Sequence, residues 1–344
     1  MTARPANRLA RVSAAAALLI GAATAGGARA DAIADFYRGK TVTVLIAVSA
    51  GGEYDLHGRT IARYMGRYIP GNPTVVAQNM TGAAGLTMAN YFANIAPRDG
   101  TTTGIMMNGL AGMQALAFPN VQYDVTKFNW IGSLSPIVET LAVWRKTGVT
   151  SIEDARKKQL VIGAVGRGSI TQTFPRVMNE LLGTKFKIVG GYPGGNDINI
   201  AMERGEVDGR NNTWSSWKVT RPSWVANNEL AILTFGGPRP VDLPAVPAMD
   251  ELAQTDDDRK LVGLVFAGTR LGRPYATTPN VPPDRVEALR VAFAAAMKDP
   301  DLLKEAAVSN IDIDPVPAAT LTKVVADVIA APPHVKERAR PLMD

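Results

Sequence analysis

The stretch Val42-Thr43-Val44-Leu45-Ile46-Ala47-Val48 runs directly into Ser49-Ala50-Gly51-Gly52-Glu53-Tyr54-Asp55, and the reading of that junction decides the fold. An apolar run with no alternation describes a strand covered on both faces, as in a parallel sheet flanked by helices. The glycine pair lets the chain turn sharply, and the acidic residues behind it suit the first turn of a helix. Strand, glycine turn and helix in that order make one βα unit. The same order returns at Thr81-Gly82-Ala83-Ala84-Gly85, at Gly166-Arg167-Gly168-Ser169 and at Tyr192-Pro193-Gly194-Gly195-Asn196. Apolar runs at 160–165, 230–233 and 264–267 predict further strands, as do 103–107 and 140–144. Between them lie helical stripes. One follows Pro282-Pro283, with Val286, Leu289, Phe293 and Met297 on a single face, and stops at Pro300. Another opens on Asn196 as N-cap, runs through Ile198, Ala201 and Met202, and ends on Gly205 as C-cap. Alternating strands and helices place the chain in the α/β class.

Composition narrows the setting. Arg4, Arg8 and Arg11 precede an apolar run over 14–23 and then Ala28-Arg29-Ala30, the order of a cleaved secretory leader over residues 1–30. The apolar run is far short of the roughly 20 residues a membrane-crossing helix needs. With no cysteine in the chain there is no lipoprotein anchor, no disulfide, no iron–sulfur ligation and no thiol catalysis. The expected location is the periplasm. The leader carries four of the 37 basic residues and no acidic one, so the rest has 33 against 31 acidic, a net +2. A charge that small gives no reason to expect nucleic acid or an anionic membrane as partner.

The remaining 314 or so residues exceed the size at which one core stops growing, so two domains are expected. The first block of βα units ends near 131–136, and the polar stretch 254–260 reads as a surface connection leading back. The expected division is a first lobe of 31–134 plus 256–344, and a second lobe of 135–255. Two crossings leave a ligand cleft between the lobes.

The four glycine turns carry the functional reading. In an open parallel sheet, ligands sit beyond the strand C-termini. A glycine turn there lets backbone N–H groups converge on one oxygen, and the helix N-terminus behind it adds partial positive charge. A charge-assisted hydrogen bond is worth about 1.5 to 3 kcal/mol, so three or four suffice for the roughly 8 kcal/mol of micromolar binding. The expected ligand residues are Ser49, Gly51, Gly52, Tyr54 and Asp55 in the first turn and Gly82, Ala83, Ala84 and Gly85 in the second. Asn108, Arg167, Gly168, Ser169, Thr171, Tyr192, Gly194, Gly195, Asn211 and Thr213 complete the set.

Other chemistries fail on the residues. The segment 163–169 looks like a phosphate loop but lacks the lysine before its hydroxyl residue, and no dinucleotide fingerprint follows the first strand. There is no Gly-x-Ser-x-Gly elbow, and His57 and His334 are the only histidines. Glu53, Asp55 and His57 could together hold a metal, but Asp55 reads better as stabilising the helix N-terminus and His57 as a surface residue. Arg59 and Arg63 read as ion-pair residues. No metal, no cofactor and no catalytic residue is expected. A hydrolase would require Ser49 or Ser169 bonded to a histidine.

Taken together, the mature chain resembles the substrate-binding receptors of tripartite tricarboxylate transporters, also called Bug receptors. The marks are Gly51-Gly52-Glu53-Tyr54-Asp55 with Arg59, then Val75-Val76-Ala77-Gln78-Asn79-Met80-Thr81-Gly82-Ala83-Ala84-Gly85, and Asp99-Gly100-Thr101. Gly166-Arg167-Gly168-Ser169, Gly190-Gly191-Tyr192-Pro193-Gly194-Gly195 and Gly205-Glu206-Val207-Asp208-Gly209 follow. The resemblance implies a two-lobed periplasmic binding protein fold whose loops grip a small carboxylate, partly through backbone amides and ordered water. It also implies delivery to integral-membrane transporter subunits, here by a monomer. Ala50 stands where the family usually has proline, Gln78 and Thr81 replace glutamate and proline, and Arg167 is an added charge; these bear on which acid is bound. The runner-up is a sensor input that docks, liganded, on a histidine kinase.

Overall fold

The computed structural model describes residues 32–309 and 311–343, so the leader read at 1–30 lies outside the described residues. In chain order the strands are β1 (Thr41–Ile46), β2 (Thr74–Asn79), β3 (Thr102–Ile105), β4 (Asn129–Ser133), β5 (Glu139–Trp144) and β6 (Leu160–Gly163). They continue with β7 (Phe186–Val189), β8 (Gly209–Thr213), β9 (Leu230–Gly236), β10 (Pro274–Thr277) and β11 (Val316–Pro317). They form a six-stranded sheet in the order β11-β4-β10-β3-β1-β2 and a five-stranded sheet in the order β7-β6-β8-β5-β9. The run that opened the sequence is β1. It lies between β2 and β3, parallel to both, with Val44 and Ile46 fully buried.

Neither sheet is wholly parallel. β10 runs antiparallel to β3 and β4, and β5 antiparallel to β8 and β9. Each of these strands returns from the other half of the molecule instead of following a βα crossover, so nothing obliges it to run parallel. The parallel trios β1, β2, β3 and β6, β7, β8 are what matter for function, because they bring their C-terminal ends to one edge of each sheet.

The halves are joined by segments that run side by side. Ile137 N–H donates to the Thr269 carbonyl at 2.9 Å, Arg273 N–H to Ser133 Oγ at 3.0 Å, and Asp314 N–H to the Leu134 carbonyl at 2.8 Å. Gly272 packs against the Ser135 carbonyl with φ +65°, a position that combines a left-handed backbone with no room for a Cβ. The six-stranded sheet is covered by the helices Glu53–Met65 and Pro283–Ala296, with Phe293 stacked on Tyr275. On the five-stranded sheet, Trp144, Trp217 and Trp224 cluster over one face. The helix Pro333–Met343 reaches the helix Ile170–Leu182, where Arg338 pairs with Glu180.

Three local readings are corrected. The run at 264–267 is not a strand: it spans the end of the helix Asp256–Val265 and the start of Ala267–Leu271. A four-residue apolar run looks alike in a strand and in a buried helix, and here Phe266 packs edge-on against Phe174. The stretch 254–260 is not a bare connection. Thr255 caps the helix Asp256–Val265 in a capping box with Asp258, and Asp256 to Asp258 fill the first turn, where the helix dipole favours acids. The N-cap of the helix Gly195–Glu203 is Gly194 instead of Asn196.

Thr255→Ala should lower the unfolding free energy by about 1 kcal/mol, the usual worth of a lost N-cap. Urea unfolding followed by far-UV circular dichroism measures it, and an unchanged midpoint would show that the cap contributes nothing to this helix.

Candidate functional site

The edges defined by the two parallel trios meet across the molecule. From the first sheet come the turn after β1, the turn after β2 and the segment after β3 that holds Asn108. From the second come the turns after β6 and β7 and the end of β8 at Thr213. Glu53, on the first turn of the helix Glu53–Met65, crosses the gap. Its carboxylate accepts hydrogen bonds from Thr213 Oγ1 at 3.0 Å and Ser215 Oγ at 2.8 Å, and is paired with Arg273. Gly168 closes the other end: an added Cβ would lie 3.1 Å from Met113 and Phe118 of the first half, and its N–H donates to the Met343 carbonyl. Between these contacts lies a cavity of 60 Å³ lined by Asn108, Gly109, Glu139, Gly168, Ile170 and Thr269 among others.

Four of the helices that open on this edge share a property, the helix Trp214–Thr220 with its Thr213 cap being the exception. Gly52, Gly85, Ser169 and Gly194 are the N-caps of Glu53–Met65, Leu86–Asn94, Ile170–Leu182 and Gly195–Glu203, and none makes a side-chain cap bond. Away from the edge, Ser151, Thr255 and Asp299 each cap their helices with a side chain. The first N–H groups of a helix have no partner within it, so the four uncapped starts leave donors and dipole charge for a guest.

The turns are held in place by residues behind them. Asp55 accepts from Gly51 N–H at 3.0 Å, from Asn79 Nδ2 at 2.8 Å and from Arg59 Nε, while Asn79 also donates to the Val48 carbonyl. This network ties the first turn to the end of β2. Burial would raise the Asp55 carboxyl, but these donors outweigh it and hold it below its usual value. In the second turn Gly82, Ala83, Ala84 and Gly85 have φ of 135°, 46°, 53° and 91°. Two consecutive alanines in left-handed conformation are uncommon and store strain, which is characteristic of ligand-clamping loops. Behind the fourth turn stands Arg210, buried in β8. Its guanidinium donates to the Gly195 carbonyl and, at 2.9 Å and 3.1 Å, to Asn199 Oδ1 and Asn212 Oδ1. A Cβ on Gly195 would lie 2.5 Å from that guanidinium.

The expected ligand residues divide accordingly. Ser49, Gly51 and Gly52 are exposed, as is Arg167, which makes no hydrogen bond or ion pair among the described residues. Tyr54 lies under the Arg273 guanidinium, 5.5 Å from the ring centre, and its hydroxyl accepts Asn108 N–H at 3.4 Å. Burial pushes that hydroxyl up to about 12, so its proton stays on and can be donated. Thr213 belongs to the Glu53 contact and caps the helix Trp214–Thr220. Several others serve the protein itself. Ser169 Oγ donates to the Gly166 carbonyl and bonds Thr171 Oγ1, which accepts Val165 N–H. Gly168 N–H is taken by Met343, Asn211 sits inside β8 bonded to Glu139, and Tyr192 packs half-buried into the tryptophan cluster.

His57 is a correction: it is 2% exposed, not a surface residue, with Nε2 3.8 Å from Glu53. Burial and Arg273 push its pKa down to about 3 against the pull of Glu53, so it is neutral. Burial would raise Glu53, but Arg273 and the two hydroxyls outweigh it and hold its carboxyl below its usual value. Glu53, Asp55 and His57, which the sequence offered as a possible metal set, do not converge, since Glu53 faces Arg273 and the second half while Asp55 faces Arg59 and Asn79. Neither Ser49 nor Ser169 is bonded to a histidine.

Sequence reasoning missed Glu139, Arg210 and Arg273. A signal existed for two of them: Glu139 heads a strand that is apolar from Leu141 to Trp144, and Gly209-Arg210-Asn211-Asn212-Thr213 is a strand too polar for its buried, central position. Arg273 had none. It meets Glu53 only because β10 returns to the first sheet.

Two mixed sheets with their ligand edges facing one another define the two-lobed periplasmic binding protein fold, and comparison with known proteins agrees. No family model matches the chain. A curated relative, the UPF0065 protein in the TAR-I ttuE-ttuC' intergenic region of Agrobacterium vitis, is 26% identical over 282 residues, covering 78% of this chain and 75% of that protein. The solved structure of the periplasmic binding protein BugD superposes with a TM-score of 0.68 at 18% identity, covering 89% of this chain and 98% of that one. MatC from Rhodopseudomonas palustris, with bound malate, gives 0.66 at 19% identity over 89% and 99%. An R. palustris protein solved with adipate gives 0.67 at 20% over 87% and 97%. The likeness to the Bug receptors read in the motifs is borne out by these neighbours.

Glu53→Gln removes one partner of a buried ion pair and should lower stability by about 3–5 kcal/mol, measured by chemical unfolding; a change below about 1 kcal/mol would mean that the pair is effectively solvated. The neutral His57 sets a pH dependence with a definite sign. Between pH 6.5 and about 3 the unfolded chain binds a proton here that the folded protein does not, so stability contributed by His57 is lost as the solution is acidified. The stability advantage of the wild type over His57→Asn should shrink by about 1.4 kcal/mol per pH unit through that window; a constant difference would show that the folded imidazole titrates normally.

Proposed function

We propose that the protein is a periplasmic solute-binding receptor that captures a small carboxylate and hands it to the membrane subunits of a tripartite tricarboxylate-type transporter, with no catalytic role. The observation that carries this is the set of four helix starts without side-chain caps on facing sheet edges. Such donors satisfy an anion without a dedicated cation and can do so from both sides only when the halves close. Malate and adipate in the neighbouring structures support a carboxylate guest. The proposed lobes, 31–134 with 256–344 and 135–255, are supported by the strands: β1 to β4, β10 and β11 fall in the first and β5 to β9 in the second. No helix among the described residues is long and apolar enough to cross a membrane, which is compatible with a receptor that docks, as a monomer, on separate membrane subunits.

In this reading the guest carboxylate takes the N–H groups of the first two turns, with the Tyr54 hydroxyl donating, and the turns after β6 and β7 complete the grip on closure. Closure is then favoured by the guest because contacts from both halves exist only in the closed state. Calorimetric titration of the purified chain, freed of retained ligand by unfolding and refolding, with di- and tricarboxylates, amino acids and aromatic acids tests the proposal. Micromolar binding of at least one class is expected, and failure of all of them would overturn it. Arg167→Ala should weaken an acidic guest about tenfold with an unchanged melting temperature, because the side chain is exposed and unpaired. An unchanged dissociation constant would remove Arg167 from the site.

A further inference from the structure

The walls of the cavity between the sheets are mostly apolar, with Ala111, Leu116, Phe266 and Leu271 among them, and one ionisable side chain lines it: Glu139. This carboxyl is 3% exposed. It takes a single hydrogen bond, from Asn211 Nδ2 to Oε2 at 2.9 Å, and Oε1 has no partner among the described residues. No cation lies within ion-pairing distance of it. None of the basic groups nearby lines the cavity: Arg273 is paired with Glu53, Arg210 is bonded to Gly195, Asn199, Asn211 and Asn212, and Arg167 is exposed on its turn. His57 is neutral and faces Glu53. Carboxylates deep in a protein are ordinarily paired with a cation or fully hydrogen-bonded, and this one, lining the cavity between the halves, is neither.

Resting on the reading of the protein as a carboxylate receptor, we infer that its guest is an amino monocarboxylate whose cationic nitrogen pairs with Glu139 while its carboxylate takes the backbone donors of the glycine turns. A di- or tricarboxylate would bring a second negative charge against Glu139, and no arginine lines the cavity to offset it. A plain monocarboxylate would leave Oε1 without a counter-charge in a mostly apolar cavity. Burial, with Glu53 adding to it, already pushes Glu139 up to about 7 despite Asn211, Arg273 and Arg210, consistent with a charge that lacks its counter-ion. The apolar walls and small volume suit a short aliphatic body between the two ends.

The test is a calorimetric panel on the full mature chain, stripped of retained ligand, that pairs matched acids: L-valine with 3-methylbutanoate, and 4-aminobutanoate with succinate and glutarate, with citrate alongside. At least one amino acid should bind at least about tenfold more tightly than its matched acids. Glu139→Gln, which keeps shape and hydrogen bonding to Asn211, should cost that amino acid about tenfold or more in affinity and leave any dicarboxylate binding equal or tighter. Tighter binding of succinate, glutarate or citrate than of either amino acid would overturn the inference and leave the receptor reading standing. So would amino acid binding that Glu139→Gln does not weaken. Failure of every acid in the panel would remove both. A near-unchanged thermal midpoint for Glu139→Gln, read in parallel, separates lost recognition from lost folding.

Discussion

The arrangement depends on one buried carboxylate crossing from one half of the molecule to the other. Glu53 leaves the first turn of its helix, meets Arg273 just before the returning strand β10 and accepts the hydroxyls of Thr213 and Ser215 from the second half. Three segments distant in sequence are thereby placed within a few ångströms of each other. A buried ion pair is weak evidence for net stability but strong evidence for a specified geometry, because any other relative placement of the halves would strand both charges. The neutral His57 and the alignment of Tyr54 beneath Arg273 follow from the same placement.

That constraint lets the ligand edge remain unfinished. Some helix starts elsewhere are closed by Ser151, Thr255 or Asp299, though Pro282 and Pro317 give no cap, whereas four of those on the facing edges have glycine, or a serine whose hydroxyl is turned to its own loop. Uncapped donors and two left-handed alanines in sequence weaken a fold locally. They are tolerated where the Asp55–Asn79–Arg59 network and the buried Arg210 brace the turns from behind. Polar residues in this region therefore divide into those that shape the turns and those left to meet a guest, and the first group is the larger.

The motifs divide along the same line. Glycine pairs, the apolar runs of β1, β5 and β6 and the proline-started helix at Pro283 depend on local rules of backbone freedom, periodicity and capping, and were legible. Ser169, Thr171 and Asn211 had the right chemistry and the right position for ligand contacts. Which partner each would choose was not legible, because a hydroxyl or amide can satisfy its own loop as readily as a guest. The run at 264–267 failed for a related reason: four apolar residues record burial without recording the backbone that achieves it.

The sequence by itself determined the α/β class, the strand–turn–helix units and their glycine turns, since each follows from interactions among residues a few positions apart. Tertiary structure alone decided that Arg273 answers Glu53, that His57 is buried and neutral, and that Glu139 faces the cavity without a cation. Those facts arise from contacts between residues up to 220 positions apart in the numbering, formed only when the chain crosses back to a sheet it had left. No local pattern encodes such a crossing, because the free energy that selects it is released only when both halves are already folded and brought together.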